Sequence, residues 1–293
     1  MANILRDKGY AIRAVSRARA RLERAFPDPG IEKVAADLLQ ADETRRAIES
    51  ADIVFDCLGL PGDQMHLHPI AARHLADAVC AAKVKCVQVS SYWAYLPLRR
   101  SPLNEDHPRE GGTAWMRYRR EAEDILLAAG AAILHLPDFY GPHVHTSTLQ
   151  NALAEAVRGK TINWLGGKDV AREYILVPDA MRIAAALGER QEAFGSRWIL
   201  PGAGPLTGQH VAEIASRELK RPVKLRSAGL GLLRMLSLFS KELRGLMQIA
   251  PDYMKPIAYD ATKLVRLLGP QQMTPYDKGI ALTIGSITTA TRP

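Results

Sequence analysis

The feature that most constrains the fold is the alternation, through the first half of the chain, of short apolar runs with helical segments. The runs have the length and composition of buried strands and lie at residues 10–15, 31–35, 53–58, 86–90 and 132–136. Helical patterns lie at residues 42–50, 69–82 and 121–129, the first with Asp42 as N-cap. Strands separated by helices form right-handed βαβ units, so we predict an α/β fold with a doubly wound parallel sheet.

In the second half of the chain, strand and helix patterns alternate less regularly. Strand patterns occur at residues 174–177 and 197–200, and helical patterns at 148–158, 178–187 and 208–219. The stretch 229–247 is apolar and basic, and we expect it to be helical and packed on the body of the fold. We place a soft boundary at Gly141-Pro142, which gives a first domain over 1–141 and a smaller lobe over 142–293 that partly interleaves with it.

Composition and charge exclude several classes of protein. The 293 residues are 47% hydrophobic and 24% charged, which is ordinary for a globular protein and argues against disorder. The net charge of +8 suits an anionic ligand or a basic surface, but it does not by itself indicate nucleic acid, which we do not expect as a partner. No run approaches the ~18 apolar residues of a membrane span, so we expect no stable membrane insertion.

The cysteine and histidine content indicates neither a disulfide framework nor a metal site. Cys57, Cys80 and Cys86 are odd in number, contain no Cys-x-x-Cys pair and lie in apolar sequence. This pattern predicts reduced, buried thiols and a cytoplasmic protein. His66 and His68 lie close in sequence, but no carboxylate or cysteine completes a ligand set, so we predict no metal.

Residues at the carboxyl ends of the predicted strands are the candidates for function, because parallel α/β sheets bind ligands there. Small or polar residues, or residues with special backbone geometry, follow each strand of the first half. They are Ser16, Arg17, Asp37, Leu38, Gly59, Leu60, Ser90, Ser91, Pro137 and Phe139. Their convergence at one edge of the sheet is a stronger signal than any single motif among them.

The order of these motifs resembles the extended and atypical short-chain dehydrogenase/reductase superfamily, in its NAD(P)-dependent epimerase/dehydratase group. The shared series comprises Ala36-Asp37-Leu38, Val89-Ser90-Ser91 with Tyr95, Pro137-x-x-Tyr140-Gly141-Pro142 and Tyr174-x-x-Val177-x-Asp179. The resemblance covers nearly the whole chain. It implies a Rossmann-like cofactor domain, a smaller C-terminal substrate lobe and an oxidoreductase, epimerase or dehydratase activity.

The sequence departs from the family at its start. The family opens with a strand and a Gly-x-x-Gly-x-x-Gly turn, whose backbone amides hold the pyrophosphate. Here residues 1–9 already have the pattern of the end of the helix that follows that turn. Losing a strand from the middle of a sheet would leave backbone groups unpaired. We therefore expect the natural chain to begin upstream of Met1, the alternative being a fold that works without this strand.

A second departure concerns catalysis. The family uses a Tyr-x-x-x-Lys pair, in which the phenol serves as general acid and base. When Glu123 is aligned with the helix of the family, Trp115 or Met116 takes the tyrosine position, and Arg119 or Arg120 takes the lysine position. An arginine could hold ribose hydroxyls but does not readily share a proton. Tyr118 remains a candidate for a shifted base, and the alternative is a surface tyrosine on a basic helix.

The resemblance assigns roles to the other strand-end residues. Ser91 matches the catalytic serine of the family, although a serine at a strand end is also a common backbone cap. Ser16 and Arg17 suit a 2′-phosphate and favour NADP, with NAD possible. Three further pairs resemble cofactor contacts: Asp37 and Leu38 along the adenine, Gly59 and Leu60 beside the diphosphate and ribose, and Pro137 and Phe139 beside the nicotinamide.

Three functions follow as hypotheses. The first is an NADP-preferring enzyme that acts on a carbonyl or hydroxyl of a small-molecule substrate, with Ser91 at the reacting oxygen and Tyr118 or a water as proton donor. The second is a non-catalytic NADP-binding sensor or interaction protein of the same fold. The third is peripheral membrane association through the stretch 229–247. A homodimer is compatible with each of them.

Overall fold

The structure is a computed structural model that describes residues 1–290, with side chains at all of these except 228, 236, 241, 242 and 290. The chain divides into two compact units. The first comprises Met1–Ser90, Arg117–Leu134 and Met181–Arg197, and the second comprises Ser91–Met116, His135–Ala180 and the described residues from Trp198 onward. The assignment of 1–141 and 142–293 to a cofactor domain and a substrate lobe stays a prediction, and residues 291–293 of that lobe lie outside the described range.

Strands and helices alternate through the first half of the chain. In chain order the elements are α1 (Ala2–Asp7), β1 (Ile12–Ser16), α2 (Arg19–Ala25), β2 (Ile31–Ala35), α3 (Ala41–Ile48), β3 (Ile53–Asp56), α4 (His68–Ala82), β4 (Lys85–Ser91), α5 (Ala114–Ala128) and β5 (Ala132–Leu136). Two short 3-10 helices also occur there, at Gly62–Leu67 and Tyr92–Tyr95.

The second half carries six short strands and eight helices within the described range. They are β6 (Asp138–Tyr140), α6 (Thr148–Val157), β7 (Ile162–Leu165), β8 (Arg172–Leu176), α7 (Val177–Gly188), β9 (Arg197–Ile199), β10 (Pro205–Leu206), α8 (Gly208–Glu218), β11 (Leu225–Ala228), α9 (Leu230–Ser237), α10 (Lys241–Leu246), α11 (Ala250–Tyr253), α12 (Thr262–Leu268) and α13 (Tyr276–Ala290). A further 3-10 turn spans Gln191–Ala193.

Parallel pairing dominates the sheets at the start of the chain. Strand β1 pairs with β2, from Ile12 opposite Ile31 to Ser16 opposite Ala35. Strand β3 pairs with β4 in a four-stranded sheet of order β3-β4-β5-β9. Within residues 1–290 the β1–β2 pair forms a sheet of its own. These parallel pairs and the helices between them confirm the predicted α/β class.

The core of the first unit forms because α4 carries apolar and alanine residues on one face. Its Leu75 and Val79 pack with Cys86 of β4, Leu126 of α5 and Ile133 of β5, and all five are at most 2% exposed. Helix α4 ends at Lys83, which adopts the left-handed conformation and closes the last turn onto the Cys80 and Val79 carbonyls. The predicted strands 31–35 and 132–136 match the observed strands residue for residue.

The second unit has two small sheets and its own core. Strands β10, β8 and β6 form one sheet, and β11 pairs with β7 in the other. Helices α6, α8 and α13 pack on them around Tyr140, Trp164, Tyr174 and Ile280. The first residue of α8 is Gly208. A side chain does not fit there, because a Cβ would come within 2.8 Å of the Trp164 indole.

Several predicted boundaries are wrong. Helix α3 begins at Ala41 with Gln40 at its N-cap, so Asp42 lies in the first turn, where its charge still suits the helix dipole. Helix α5 begins at Ala114, seven residues before the predicted start at 121. The stretch 229–247 forms two helices rather than one, since the chain leaves helical geometry between Ser237 and Lys241.

The prediction of three buried cysteines is also wrong. Cys57 and Cys80 are exposed and only Cys86 is buried, although all three are free thiols. In the described part of the chain, no helix is long and apolar enough to cross a membrane. No group of three or more metal-ligating side chains occurs among the same residues.

Candidate functional site

The carboxyl ends of β1 and β2 bring Ser16, Arg17 and Asp37 to one edge of their sheet. The two strands run parallel and in register, and the Ala36 N–H donates to the Ser16 carbonyl at 3.1 Å. Asp37 is held in a tight turn, because its Oδ1 accepts from the Leu39 N–H at 3.0 Å. The sequence predicted this grouping from strand order, and the register produces it.

Leu38 is fixed by the helices that follow it. Its carbonyl lies 3.0 Å from Nδ1 of His74 on α4 and 3.3 Å from Oγ1 of Thr44 on α3. Glu43 completes the arrangement by accepting from the Asp37 N–H at 2.7 Å. Hydrogen bonds from α3 and α4 therefore fix the Asp37-Leu38 pair at the end of β2 in the closed structure.

Arg17 is an exposed cation immediately beyond β1. Within the described chain its guanidinium makes no side-chain hydrogen bond or ion pair. Arg19 differs, since it donates to Glu23 at 3.1 Å and to the Lys33 carbonyl at 2.7 Å. Arg17 is thus available to an anionic ligand at this edge.

Strand β3 ends at Asp56, followed by an open turn that contains Gly59 and Leu60. Asp56 is 9% exposed, and its Oδ1 accepts from the Leu58 N–H at 3.0 Å. No atom lies within 4 Å of the position that a Cβ on Gly59 would take. A ligand can therefore approach the backbone of this turn closely.

Buried polar groups gather behind these strand ends. We call Asp56, His68, Gln88, Ser90, Arg119 and Glu123 the Asp56 cluster. Gln88 Nε2 donates to Asp56 Oδ2 at 3.2 Å, and the Ser90 hydroxyl donates to Glu123 Oε1 at 2.5 Å. Glu123 is fully buried, and the bond from Ser90 to its carboxylate is a charge-assisted hydrogen bond.

Arg119 is the cation of the Asp56 cluster. Burial lowers the pKa of its guanidinium, and the carboxylates of Glu123 and Asp56 oppose that shift. Burial also raises the pKa of Asp56, against the effect of its hydrogen bonds and of the Arg119 charge. Arg119 has no hydrogen-bond partner at its enclosed Nε atom among the described residues. A buried donor without an acceptor is costly, so this atom marks a place for one.

His68 begins α4 within the same cluster and is neutral at physiological pH. Burial and, to a lesser extent, the charge of Arg119 lower the pKa of its imidazole to about 3, and the charge of Glu123 opposes the shift. Its Nε2 is buried without a partner, and so is Oε1 of Gln88. Three enclosed polar atoms around two carboxylates therefore lack protein partners in the described chain.

These features fit a dinucleotide with ribose hydroxyls and phosphates. Arg119 Nε is an enclosed donor for a hydroxyl oxygen, Arg17 is an unpaired cation for a phosphate, and Gly59 leaves its backbone open to approach. All three lie at or near the carboxyl ends of strands, where α/β sheets bind such ligands. The residues present in the first unit are thus compatible with a nicotinamide cofactor.

Ser91, the candidate catalytic serine, belongs to the second unit and caps a short helix. Its Oγ accepts from the Trp93 N–H at 3.3 Å, at the start of the 3-10 turn Tyr92–Tyr95. The capping alternative is therefore correct, but it uses only one lone pair of the hydroxyl. The Ser91 proton remains available to a substrate oxygen.

Trp115 lies where the sequence alignment allows the tyrosine of the family. Its indole stacks on Trp93, with ring centroids 6.2 Å apart. The backbone N–H of Trp115 donates to Gln248 Oε1 at 3.2 Å. Gly245 lies against the indole, because a Cβ at that position would come within 2.9 Å of the ring. Trp115 packs as an aromatic and has no group that exchanges a proton near neutral pH.

Tyr118, the other candidate for proton transfer, is a partly exposed residue of α5 in the first unit. Its ring meets the His66 ring edge-on, with centroids 6.4 Å apart. No hydrogen bond fixes its hydroxyl within the described residues. The phenol is accessible, but its use in catalysis stays a prediction.

Pro137 and Phe139 flank a buried charge in the second unit. Pro137 is buried and Phe139 is 38% exposed, with Asp138 between them at the start of β6. Asp138 accepts from the Tyr253 hydroxyl at 2.7 Å, and its Oδ2 lies 3.7 Å from Arg172. These contacts hold the start of β6, the strand that carries Phe139.

Arg172 is itself 2% exposed and is held by several oxygen atoms. Its Nη2 donates to the Tyr92 hydroxyl at 2.8 Å, and its Nη1 donates to the Asp252 and Lys255 carbonyls. Burial alone would lower its pKa, but the neighbouring phenols and Asp138 raise it above the ordinary value. Arg172 therefore stays charged, and the network braces β6 against β8.

Sequence reasoning found the strand ends but missed most of the Asp56 cluster. Asp56, Gln88 and His68 were not predicted as site residues, and Glu123 served only to align the helix. A signal was present, because polar side chains interrupt strands that are otherwise apolar. Asp56 ends one such strand, and Gln88 stands inside the next.

Comparisons with known proteins show what the chain is similar to. Residues 1–132 match the NAD(P)H-binding family. No curated protein sequence matches the chain. Among solved structures, the chain is similar to UDP-glucuronic acid 4-epimerase from Bacillus cereus in complex with UDP-glucuronic acid and NAD. The identity is 12% and the TM-score 0.81, over 99% of this chain and 94% of that one.

Two further structures have the same architecture. One is dTDP-glucose 4,6-dehydratase from Bacillus anthracis in complex with NAD, at 14% identity and a TM-score of 0.80, over 99% of this chain and 92% of that one. The other is UDP-glucose 4-epimerase from Bifidobacterium longum with NAD+ and UDP, at 18% identity and a TM-score of 0.78, over 98% and 93%. Residues 1–132 therefore match the model of the NAD(P)H-binding family, and the chain as a whole has the fold of these NAD-binding epimerases and dehydratases.

Proposed function

We propose that this protein binds NADP in preference to NAD and acts as an oxidoreductase, epimerase or dehydratase on a carbonyl or hydroxyl of a small molecule. The observation that carries the proposal is the Asp56 cluster. It holds a partly exposed cation, Arg119, whose enclosed Nε has no acceptor among the described residues. A ribose hydroxyl of the cofactor is the acceptor that this position suits.

The remaining contacts follow the order of the strands. Arg17, with Ser16 beside it, would hold the 2′-phosphate, and this is the basis for preferring NADP. Asp37 and Leu38 would line the adenine. Gly59 and Leu60 would allow the diphosphate and ribose to approach the backbone. Pro137 and Phe139 would lie beside the nicotinamide.

The bound nicotinamide would supply hydride transfer, and the side chains would position the substrate and move its proton. The Ser91 hydroxyl would donate to the reacting oxygen, since its cap to Trp93 leaves the proton free. Tyr118 or a water would supply the proton that the oxygen finally takes. The solved relatives carry UDP-glucuronic acid or UDP, so nucleotide sugars belong in the first substrate panel.

Calorimetric titration with NADPH and then NADH tests the cofactor proposal. The folded protein should bind NADPH more tightly than NADH. Arg119→Met should weaken NADPH binding by about tenfold or more, the loss of one charged hydrogen bond. Arg24→Met, at an exposed arginine of α2, is the matched control and should bind as the parent does. Equal binding by the Arg119 variant, or none by a folded parent, would contradict the proposal.

The non-catalytic sensor is the second candidate, and Trp115 favours it. An indole at that position cannot act as the acid and base that a tyrosine would supply. An enzyme should consume NADPH with some member of a panel of carbonyl compounds and nucleotide sugars, and Ser91→Ala should slow it. A sensor should bind NADPH without turnover, and its binding to a partner protein should change when the cofactor is added.

A further inference from the structure

Helix α9 and the turn after it leave large apolar side chains in solvent. Leu232 is 48% exposed, Met235 55%, Leu238 71% and Phe239 86%. We call these four residues the α9 apolar face. Leu233, at 6%, is the α9 leucine that packs inward. The expectation that the stretch 229–247 packs on the body of the fold therefore holds for Leu233 but not for the α9 apolar face.

The arrangement concentrates this apolar area in one short segment. Leu232 and Met235 are three residues apart on α9 and so lie on the same side of the helix. Leu238 and Phe239 follow directly, in the turn before α10 begins at Lys241. Single exposed leucines are common on protein surfaces, but consecutive exposed apolar groups that include a phenylalanine mark an interaction site.

The segment that carries the α9 apolar face contains basic but no acidic residues from 219 to 241, between Glu218 and Glu242. Its six basic residues are Lys220, Arg221, Lys224, Arg226, Arg234 and Lys241. Arg234 is exposed within α9 itself, Lys224 is exposed immediately before β11, and Arg226 is exposed on that strand, which leads into the helix. The whole protein carries a net charge of +8.

Apolar side chains bordered by basic ones fit a surface that is apolar inside and negative outside. We infer that the α9 apolar face docks the protein peripherally on a membrane of anionic lipids. Phe239 and its neighbours would enter the boundary between headgroups and acyl chains, and Arg234 with the other cations would meet the phosphates. A second copy of this chain fits less well, because a symmetric contact would bring like charges together.

Sedimentation of the full-length protein with vesicles tests this inference. Vesicles made of equal parts of phosphatidylcholine and phosphatidylserine should carry the protein into the pellet, and vesicles of phosphatidylcholine alone should carry far less. Raising the salt concentration should release it, because added ions screen the attraction between the basic residues and the lipid phosphates.

Two variants test the two components of binding. Phe239→Ser should reduce the partition coefficient on anionic vesicles by about tenfold, since one large apolar side chain no longer leaves water. Leu282→Ser is the matched control, at a leucine of α13 that is 55% exposed, and should bind as the parent does. Arg234→Glu should also weaken binding, whereas Arg190→Glu, the same charge change at an exposed residue near the end of α7, should weaken it less.

Three results would overturn the inference. They are equal binding to neutral and anionic vesicles, unchanged binding by Phe239→Ser, and a parent dimer in sedimentation velocity that Phe239→Ser converts to monomer. Thermal unfolding of each variant by circular dichroism verifies that it is folded. None of these measurements depends on NADPH, so the inference and the proposed function can fail separately.

Discussion

The hydroxyl of Ser90 donates to Oε1 of Glu123 at 2.5 Å, and this bond ties the end of β4 to the middle of α5. Arg119 stands one helical turn before Glu123 on the same helix. The bond therefore sets the position of the cation that we assign to the cofactor. The packing of α5 on β4 and the position of Arg119 in the candidate site therefore both depend on the hydrogen bond between Ser90 and Glu123.

Ser90→Ala should destabilise the protein by about 1–3 kcal/mol, because it removes a donor from a buried carboxylate. Chemical denaturation followed by circular dichroism measures the change. Ser227→Ala, at an exposed serine of β11, is the control and should change the free energy of unfolding by less than about 0.5 kcal/mol. If both variants lose the same amount, the bond to Glu123 contributes nothing specific.

The buried imidazole of His68 predicts a loss of stability in acid. Its pKa is lowered from 6.5 to about 3, so below pH 6.5 the unfolded chain binds a proton that the native protein does not. The free energy of unfolding should therefore fall as the pH drops from 6.5 towards 3. Buried carboxyls such as Asp56, whose pKa is raised, act in the opposite sense.

A substitution isolates the contribution of His68. His68→Leu should lose less stability than the parent over that range of pH, by on the order of 3 kcal/mol at its acid end. His145→Gln, at an exposed histidine, should follow the parent curve. Denaturant titrations at a series of pH values give the comparison, and parallel curves for His68→Leu and the parent would contradict the assignment.

The tyrosine that holds Asp138 offers a third prediction. Tyr253→Phe keeps the ring over Arg172 but removes the donor 2.7 Å from Asp138 Oδ1, and it should cost about 1.5–3 kcal/mol. Arg172→Met should cost more, about 3–5 kcal/mol, because it leaves a buried carboxylate unpaired. Thermal unfolding provides the ranking. Tyr10→Phe, whose hydroxyl meets Glu189 in solvent, is the control with little expected change.

Arg17 should determine which dinucleotide binds. Arg17→Asp should weaken NADPH binding by about tenfold or more and strengthen NADH binding, because a carboxylate repels a 2′-phosphate and accepts from ribose hydroxyls. Arg21→Asp makes the same charge change at an exposed residue of α2 and should preserve the preference. If both variants weaken NADPH binding equally, net charge rather than Arg17 sets the affinity.

Strands could be predicted from the sequence where apolar residues are continuous. The strand Ile31–Ala35 and the fully buried strand Ala132–Leu136 were predicted to the residue. The order of the strands also predicted that the candidate site lies at their carboxyl ends. Short strands escaped detection for the opposite reason: Asp138–Tyr140 has a charge at its first position, which the sequence pattern presents as a loop.

The start of α5 and the burial of several side chains could not be predicted, because they depend on tertiary contacts. Helix α5 starts at Ala114 because Trp115 packs on Trp93 and Gly245, contacts between residues that are distant in sequence. The buried polar residues Arg120 and Glu123 disguise the apolar face of the same helix, so its early turns look like surface. Cys80 lies in an apolar helical run but on its outer face, which composition alone does not reveal.

The separate β1–β2 sheet has a consequence for recognition. Its apolar support is small, with Ala14, Leu22 and Ile31 as the buried residues of its cluster. Two-stranded sheets are marginal alone, and regions with few buried contacts open more readily than the global fold. Ser16 and Arg17 stand on this sheet, so measured affinity for a dinucleotide includes the fraction of molecules in which the pair is closed. Leu22, a core residue of this sheet that is not among the proposed ligand contacts, thereby becomes a determinant of how tightly the cofactor is held.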